Sequence, residues 1–260
     1  MLLAIDVGNT NTVLGLFEAA TLREHWRIAT DARRTADELA LMVTGLLGQY
    51  THTGDGELVT GISCCSTVPA VLHQVREMCA KRYADVPDVI VEPGVRTGVP
   101  ILFDNPREVG ADRIVNSLAA FTLYGGPAVV VDFGTSTNFD VVSARGEFIG
   151  GSLAPGIEIS VDALAARAAQ LRKVELLKPR TVIAKNTVEA LQSGILYGFA
   201  GQIDRIAEEI LGELGAPAPV IATGGLAPLV LGESRRITAH EPWLTLIGLR
   251  LIYEKNVVGH

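Results

Sequence analysis

Short apolar runs alternate along this chain with stretches of helical period. Leu2 to Ile5 is an apolar run that ends in the polar bend Asp6-Val7-Gly8-Asn9-Thr10-Asn11-Thr12, after which Val13 to Phe17 is apolar again. Two apolar runs around a polar, glycine-bearing bend predict a hairpin. Leu22 to Ile28 predicts a third strand. From Thr35 the period changes: Leu39, Met42, Val43, Leu46 and Leu47 recur at helical spacing, and Thr35 with Glu38 forms a capping-box pair. A helix is therefore expected over Thr35–Tyr50, then a loop over 51–57 and a buried strand over Val59–Ser63. Pro69 suits the first turn of a helix whose inner face carries Leu72, Val75 and Cys79. Val86–Val91 and Val99–Phe103 are further strand candidates. Asn105-Pro106-Arg107-Glu108 has an N-cap, a proline at the first helical position and Glu three after the cap. It predicts a helix start, with Ile114, Val115 and Leu118 as the apolar face.

Gly125-Gly126-Pro127 breaks the chain, and the expected domain boundary falls there, giving halves 1–126 and 127–260. The second half opens with the buried strand Ala128–Val131, continues through Asp132-Phe133-Gly134-Thr135-Ser136-Thr137, and resumes at Phe139–Val142. Phe148-Ile149 leads into Gly150-Gly151 and Pro155-Gly156. Helices are expected over Ile157–Leu171, over Asn186–Leu214 with Asn186 as cap and Glu189 as its partner, and over Pro242–Lys255. Pro219–Ala222 reads as a strand running into Thr223-Gly224-Gly225.

The two halves repeat one element. Leu3-Ala4-Ile5-Asp6-Val7-Gly8-Asn9-Thr10-Asn11-Thr12 matches Val129-Val130-Val131-Asp132-Phe133-Gly134-Thr135-Ser136-Thr137-Asn138: an apolar strand, Asp, one apolar residue, Gly, then a polar run rich in hydroxyls. This points to a duplicated α/β domain, both copies offering the same turn to one interdomain cleft. Glycine lets backbone approach a phosphate closely, and successive backbone N–H groups form an anion cradle. An Asp at the strand end would repel a bare phosphate, so it makes sense beside a cation or a cation-bound water. One such turn alone would read equally well as a tight hairpin; two, each after a buried strand, favour a metal–nucleotide site. No G-x-x-x-x-G-K-[ST] occurs, and no G-x-G-x-x-G follows a strand.

Composition narrows the classes. The chain has 260 residues, 48% of them hydrophobic, which is ample for a sizeable core. Its net charge is −7, and Arg33-Arg34 and Arg235-Arg236 are only pairs, so no basic face for nucleic acid is expected. No apolar stretch approaches a membrane span. Asp6 follows the first apolar residues too soon for a signal peptide, and a cytoplasmic location is expected. The three cysteines, Cys64, Cys65 and Cys79, form no C-x-x-C pair; they read as buried structural thiols rather than a metal site or a nucleophile. The five histidines are scattered and read as structural or surface.

The duplicated strand–Asp–Gly–Thr turns resemble the phosphate loops of the actin, hexokinase and heat-shock chaperone ATPase superfamily, whose halves are RNase H-like α/β domains. Within it, the chain is most similar to the type III pantothenate kinases. The resemblance rests on Asp6-Val7-Gly8-Asn9-Thr10, on Asn105-Pro106-x-Glu108-Val109-Gly110-Ala111-Asp112-Arg113, on Asp132-Phe133-Gly134-Thr135, on Gly150-Gly151 with Pro155-Gly156, and on Thr223-Gly224-Gly225, in the family's order.

The resemblance implies transfer of the γ-phosphoryl of ATP to the hydroxyl of pantothenate, the first step towards coenzyme A. It implies Asp112 as proton acceptor, and residues Asp6, Val7, Gly8, Asn9, Thr10, Asn11, Thr12 and Val13 around the nucleotide phosphates, with Asp6 near Mg²⁺. Thr135 adds a nucleotide contact. Asp132 matches the ligand of a monovalent cation, K⁺ or NH₄⁺. Gly110, Ala111, Asp112 and Arg113 match substrate contacts, with Arg113 on either the pantothenate carboxylate or the transferring phosphate. Phe103 stands where the family commonly has Tyr, which keeps the ring and loses a hydroxyl. Thr187 matches a substrate contact that the family takes from the partner subunit of a homodimer. Gly194, Gly198 and Gly201 would lie on one face of the long helix, where close packing by a second copy or by a helix of the same chain is expected. Two other functions stay open at this point. One is a kinase of another small-molecule hydroxyl or carboxylate on the same fold; the other is a catalytically silent nucleotide-binding regulator.

Overall fold

The structure, a computed structural model, describes residues 1–51, 59–167 and 174–258. It separates into two compact units. Unit 1 holds Met1–Val99, Asn105–Ala119 and Thr245–His260; unit 2 holds Pro100–Asp104 and Ala120–Leu244. This is not a single cut after residue 126. The chain crosses between units at residues 100–105, crosses again within a helix, and returns at its end.

Unit 1 is built on a five-stranded sheet. The strands are β1 (Leu2–Val7), β2 (Asn11–Glu18), β3 (Thr21–Ala29), β4 (Gly61–Ser66) and β5 (Asp88–Ile90), in the order β3-β2-β1-β4-β5. The first three form the expected antiparallel meander, and β4 and β5 add in parallel. Successive strand residues point to opposite faces, and the sequence exploits this. Leu3, Ile5 and Val7 of β1, with Ile62 and Cys64 of β4, face a core that includes Leu39, Val43 and Leu47 of α1 (Ala36–Thr51). Val71, Val75 and Met78 of α2 (Pro69–Arg82) complete that core. The capping box at α1 is real: Thr35 N donates to Glu38 Oε2 at 2.8 Å, and Glu38 N donates to Thr35 Oγ1 at 3.3 Å.

The opposite face carries Ala4 and Ser63, and the last helix, α7 (Leu244–Tyr253), packs there. Ser63 Oγ donates to the Leu249 carbonyl at 2.8 Å, and Gly15, opposite Ala4, leaves room for Leu246. The first part of α3 (Ala111–Tyr124) lies against α7, where Thr245 Oγ1 and Asn116 Oδ1 are 2.8 Å apart. These contacts put the C-terminal helix in unit 1, although it follows unit 2 in sequence.

Unit 2 repeats the plan. β6 (Ala128–Phe133), β7 (Ser136–Val142) and β8 (Phe148–Pro155) form an antiparallel meander, and β9 (Val220–Thr223) and β10 (Ala239–His240) add in parallel on the β6 side. The order is β10-β9-β6-β7-β8. Each strand of one sheet therefore has a counterpart in the other, and the duplication inferred from two turns extends to all ten strands. Val129, Val131 and Phe133 of β6 share a core with Ile157 of α4 (Ile157–Arg167) and with Leu196 and Ile203 of α5 (Thr187–Leu214). Ala227 and Val230 of α6 (Ala227–Val230) also belong to it. Asn186 caps α5, accepting from Glu189 N at 2.9 Å.

Three expectations change. Val99–Phe103 is not a strand; it makes one isolated bridge, Ile101 to Phe148. The helix expected from Asn105 is two pieces. Pro106–Glu108 is a 3₁₀ turn, Val109 is extended at φ −80° and ψ 118°, and α3 starts afresh at Ala111. Phe148–Ile149 extends through the glycines to Pro155, because Gly150 takes φ +126° at a register shift and antiparallel pairing with β7 continues. Of the loop expected over 51–57, Thr51 is instead the last residue of α1; its remainder, 52–57, and any continuation of α4 across 168–171 lie outside the described residues.

Candidate active site

Asp6 is the penultimate residue of β1, and strand alternation turns it to the face opposite Ile5 and Val7. There it meets Asp112. Burial pushes the Asp6 carboxyl up to about 7, and the charge of Asp112 adds to the rise. Cys65, directly opposite Asp6 in the parallel register with β4, donates its thiol to Asp6 Oδ1 at 3.5 Å and opposes that shift.

Asp112 sits in the first turn of α3, where helix N–H groups are unpaired and favour an anion. The Arg113 backbone N–H donates to Asp112 Oδ1 at 2.9 Å. Burial raises its pKa; the backbone hydrogen bond and the Arg113 charge hold it down. The break at Val109 creates this position: had the helix run on from Asn105, Asp112 would lie in its second turn. Gly110 is required here, since a Cβ at 110 would stand 2.5 Å from Asp112 Oδ1. The space at Gly110 is thus used by the carboxylate of Asp112 itself. Ala111 is half-buried, and Arg113 is buried at 8% exposure.

The first bend follows. Gly8 N donates to the Asn11 carbonyl at 3.0 Å, closing the turn, and Asn9, Thr10 and Asn11 are exposed at its tip. The others are less open. The Val7 side chain is in the core, Thr12 is 2% exposed with its hydroxyl 2.9 Å from that of Thr30, and Val13 is half-buried. Asp6, the bend, and Gly110 to Arg113 all belong to unit 1.

Unit 2 holds the remaining predicted residues, apart from those in unit 1. Asp132 occupies in β6 the place of Asp6 in β1, and Thr223 of β9 stands opposite it as Cys65 stands opposite Asp6. Gly224, at φ +89°, follows at once; a Cβ there would come within 2.6 Å of Asp132 Oδ1 and 2.7 Å of both the Phe133 N and O atoms. Gly224 therefore packs tightly beside the Asp132 carboxylate and the Phe133 peptide N–H and carbonyl. The carboxylate and the carbonyl are hard oxygen donors of the kind K⁺ takes. Gly134 N donates to the Ser136 carbonyl at 3.0 Å, closing the second bend, and Thr135 is exposed on it. Phe103 is half-buried, its ring tilted at 52° against Phe148 with centroids 6.0 Å apart. Thr187 is exposed at the first turn of α5, among the exposed Val182, Ile183 and Val188. Among the described residues, a Cβ at Gly194, Gly198 or Gly201 would meet nothing within 4 Å. No helix among the described residues packs on that stripe.

The register partner Cys65 was missed in the sequence. Its separation of 59 residues from Asp6 hides the pairing, and only the parallel alignment of β1 with β4 exposes it.

Two duplicated RNase H-like sheets, each ending a central strand in an acidic glycine bend, define a fold of the actin and hexokinase type. Solved structures agree on the fold. A ROK hexokinase from Thermus thermophilus superposes with a TM-score of 0.56 at 13% identity, covering 98% of this chain and 99% of that one. An inorganic polyphosphate/ATP-glucomannokinase from Arthrobacter sp. strain KM gives 0.51 at 14% identity, covering 100% and 99%. The sequence profile of the type III pantothenate kinases matches residues 2–209. A type III pantothenate kinase from Acidothermus cellulolyticus is 69% identical over 257 residues, 99% of each chain. The chain belongs to the type III pantothenate kinase family.

Proposed function

We propose that this protein phosphorylates pantothenate with ATP, giving 4′-phosphopantothenate for coenzyme A synthesis. The observation that carries this reading is Asp112: a carboxylate in the first turn of α3, beside Asp6 and next to a buried arginine. Phosphoryl transfer needs an oriented hydroxyl, neutralised phosphate charge and a group to receive the proton. Asp112 accepts a hydrogen bond from the attacking hydroxyl and then its proton; its raised pKa suits that task. Arg113 supplies positive charge to the substrate carboxylate or the phosphoryl group. The Asp6–Val13 bend takes the nucleotide phosphates through backbone N–H groups and the exposed polar residues of its tip. Asp6, whose charge is disfavoured beside Asp112, is the residue that would accompany the divalent metal of the nucleotide; the metal neutralises phosphate charge.

In unit 2, Asp132 would hold K⁺ or NH₄⁺, Thr135 would reach the nucleotide, and Phe103 would give the substrate an apolar wall. Thr187 would contact substrate from the partner subunit of a homodimer, which α5 builds along its open glycine stripe. Among the described residues no helix is long and apolar enough to cross a membrane, and a cytoplasmic location fits the substrates. A substrate panel at fixed ATP tests the reading: turnover is expected with pantothenate and not with hexoses or simple carboxylates. Preference for a hexose would overturn it.

A further inference from the structure

The two parallel strand pairs that flank the acidic bends share a detail of register. In each unit the residue across the parallel ladder from the strand-end aspartate has a side chain able to donate a hydrogen bond: Cys65 opposite Asp6, Thr223 opposite Asp132. Parallel register partners project to the same face of the sheet, so each of these side chains stands beside its aspartate. At Cys65 the contact is formed, with Sγ 3.5 Å from Asp6 Oδ1.

The surroundings of Cys65 determine what it can do. It is fully buried in β4, so it is not open to outside reagents. Against a carboxylate oxygen, which has only lone pairs to offer, the thiol is the donor of the pair. A protonated, buried thiol is a poor nucleophile but a fixed donor. Cys64 points to the other face, into the core with α1 and α2, so the neighbouring cysteines have different jobs.

We propose that Cys65 is a positioning residue for Asp6: its thiol fixes the rotamer of the carboxylate, and thereby the affinity of the first bend for a metal-bound nucleotide. Asp6 ends a short strand beside a polar bend and faces a second carboxylate. The donor on the β4 side counters the push from Asp112. The thiol tethers one carboxylate oxygen to the sheet, and the other stays available to the site. This rests on the nucleotide role assigned to Asp6 above.

Two measurements test it. Binding of Mg²⁺ with a non-hydrolysable ATP analogue is followed by calorimetry for the parent, Cys65→Ala and Cys65→Ser, with thermal melts alongside. Loss of one hydrogen bond predicts binding weakened by about fivefold in Cys65→Ala, with the KM for ATP raised by a similar factor and kcat less affected. Cys65→Ser, which keeps a donor, returns to within about twofold of the parent. Unchanged binding in Cys65→Ala, or equal loss in the serine variant, overturns the proposal. The second measurement needs no activity: the infrared S–H stretching band that disappears in Cys65→Ala should shift when Asp6 becomes asparagine. A band that stays in place overturns the proposal even if the cysteine variants fold poorly. A parent that binds the nucleotide but leaves pantothenate unphosphorylated would sink the proposed function, and the Cys65 comparison would still stand or fall on its own data.

Discussion

Asp112 stands near enough to Asp6 for its charge to be, after burial, the chief influence raising the Asp6 carboxyl to about 7. Two carboxylates brought together at low dielectric disfavour each other's ionisation. A fold that needed only stability would not retain such a pair. Its presence in unit 1, at the end of a central strand and the start of a helix, is what the proposed role of Asp112 accounts for.

The first prediction concerns that cost in the metal-free protein. Asp6 titrates near 3.8 when unfolded and near 7 when folded. Between those values the folded state binds the extra proton, so this group's contribution to stability falls as pH rises through the window. Asn at position 6 cannot ionise. Asp6→Asn should therefore gain stability relative to the parent as pH rises from about 4 to about 8, by at least about 1 kcal/mol. Denaturant melts in chelator at the two pH values check this; a difference that does not change with pH contradicts it.

At the second bend, Gly224→Ala should be more damaging than its size suggests. A Cβ would be forced to within 2.6 Å of Asp132 Oδ1 in a left-handed backbone region that side chains avoid. The expected outcome is a loss of about 1–3 kcal/mol of stability with a weakened response to potassium. Thermal melting and a potassium titration of activity measure the two effects. A variant with the parent's melting temperature and potassium response would remove Asp132 as the cation ligand.

The glycine stripe of α5 supports a third prediction. Gly198 is exposed, and among the described residues a side chain there has free space. Gly198→Ile should leave the melting of the monomer fold nearly unchanged, since leaving glycine costs no helix propensity, while shifting size-exclusion elution from dimer to monomer. An unchanged dimer peak would remove the stripe from the interface.

Much of this was legible in the residues themselves. The strand–Asp–Gly bends at 6 and 132, the Thr35–Glu38 box and the Asn186 cap are local signals, and the structure keeps them. What was not legible depends on distant packing. Val109 breaks the expected helix and moves Asp112 into a first turn. The run Phe148-Ile149 leads into glycines, and only the pairing with β7 shows that the strand continues through them. The C-terminal helix joins unit 1 because Gly15 leaves room for Leu246, Gly248 lets the helix approach Val115, and Ser63 donates to the Leu249 carbonyl; no pattern near residue 245 announces that. The match of Cys65 with Thr223 appears only after both sheets are laid out in register.

The central claim is that Asp112 receives the proton of pantothenate's hydroxyl as ATP gives up its γ-phosphoryl group. Coupled ADP release by the parent and by Asp112→Asn, with and without pantothenate, tests it most directly when nucleotide binding is measured in parallel. The parent should release ADP only with pantothenate, and Asp112→Asn should bind nucleotide yet turn over about 10²–10⁴-fold more slowly. An asparagine variant that turns over like the parent would contradict the claim.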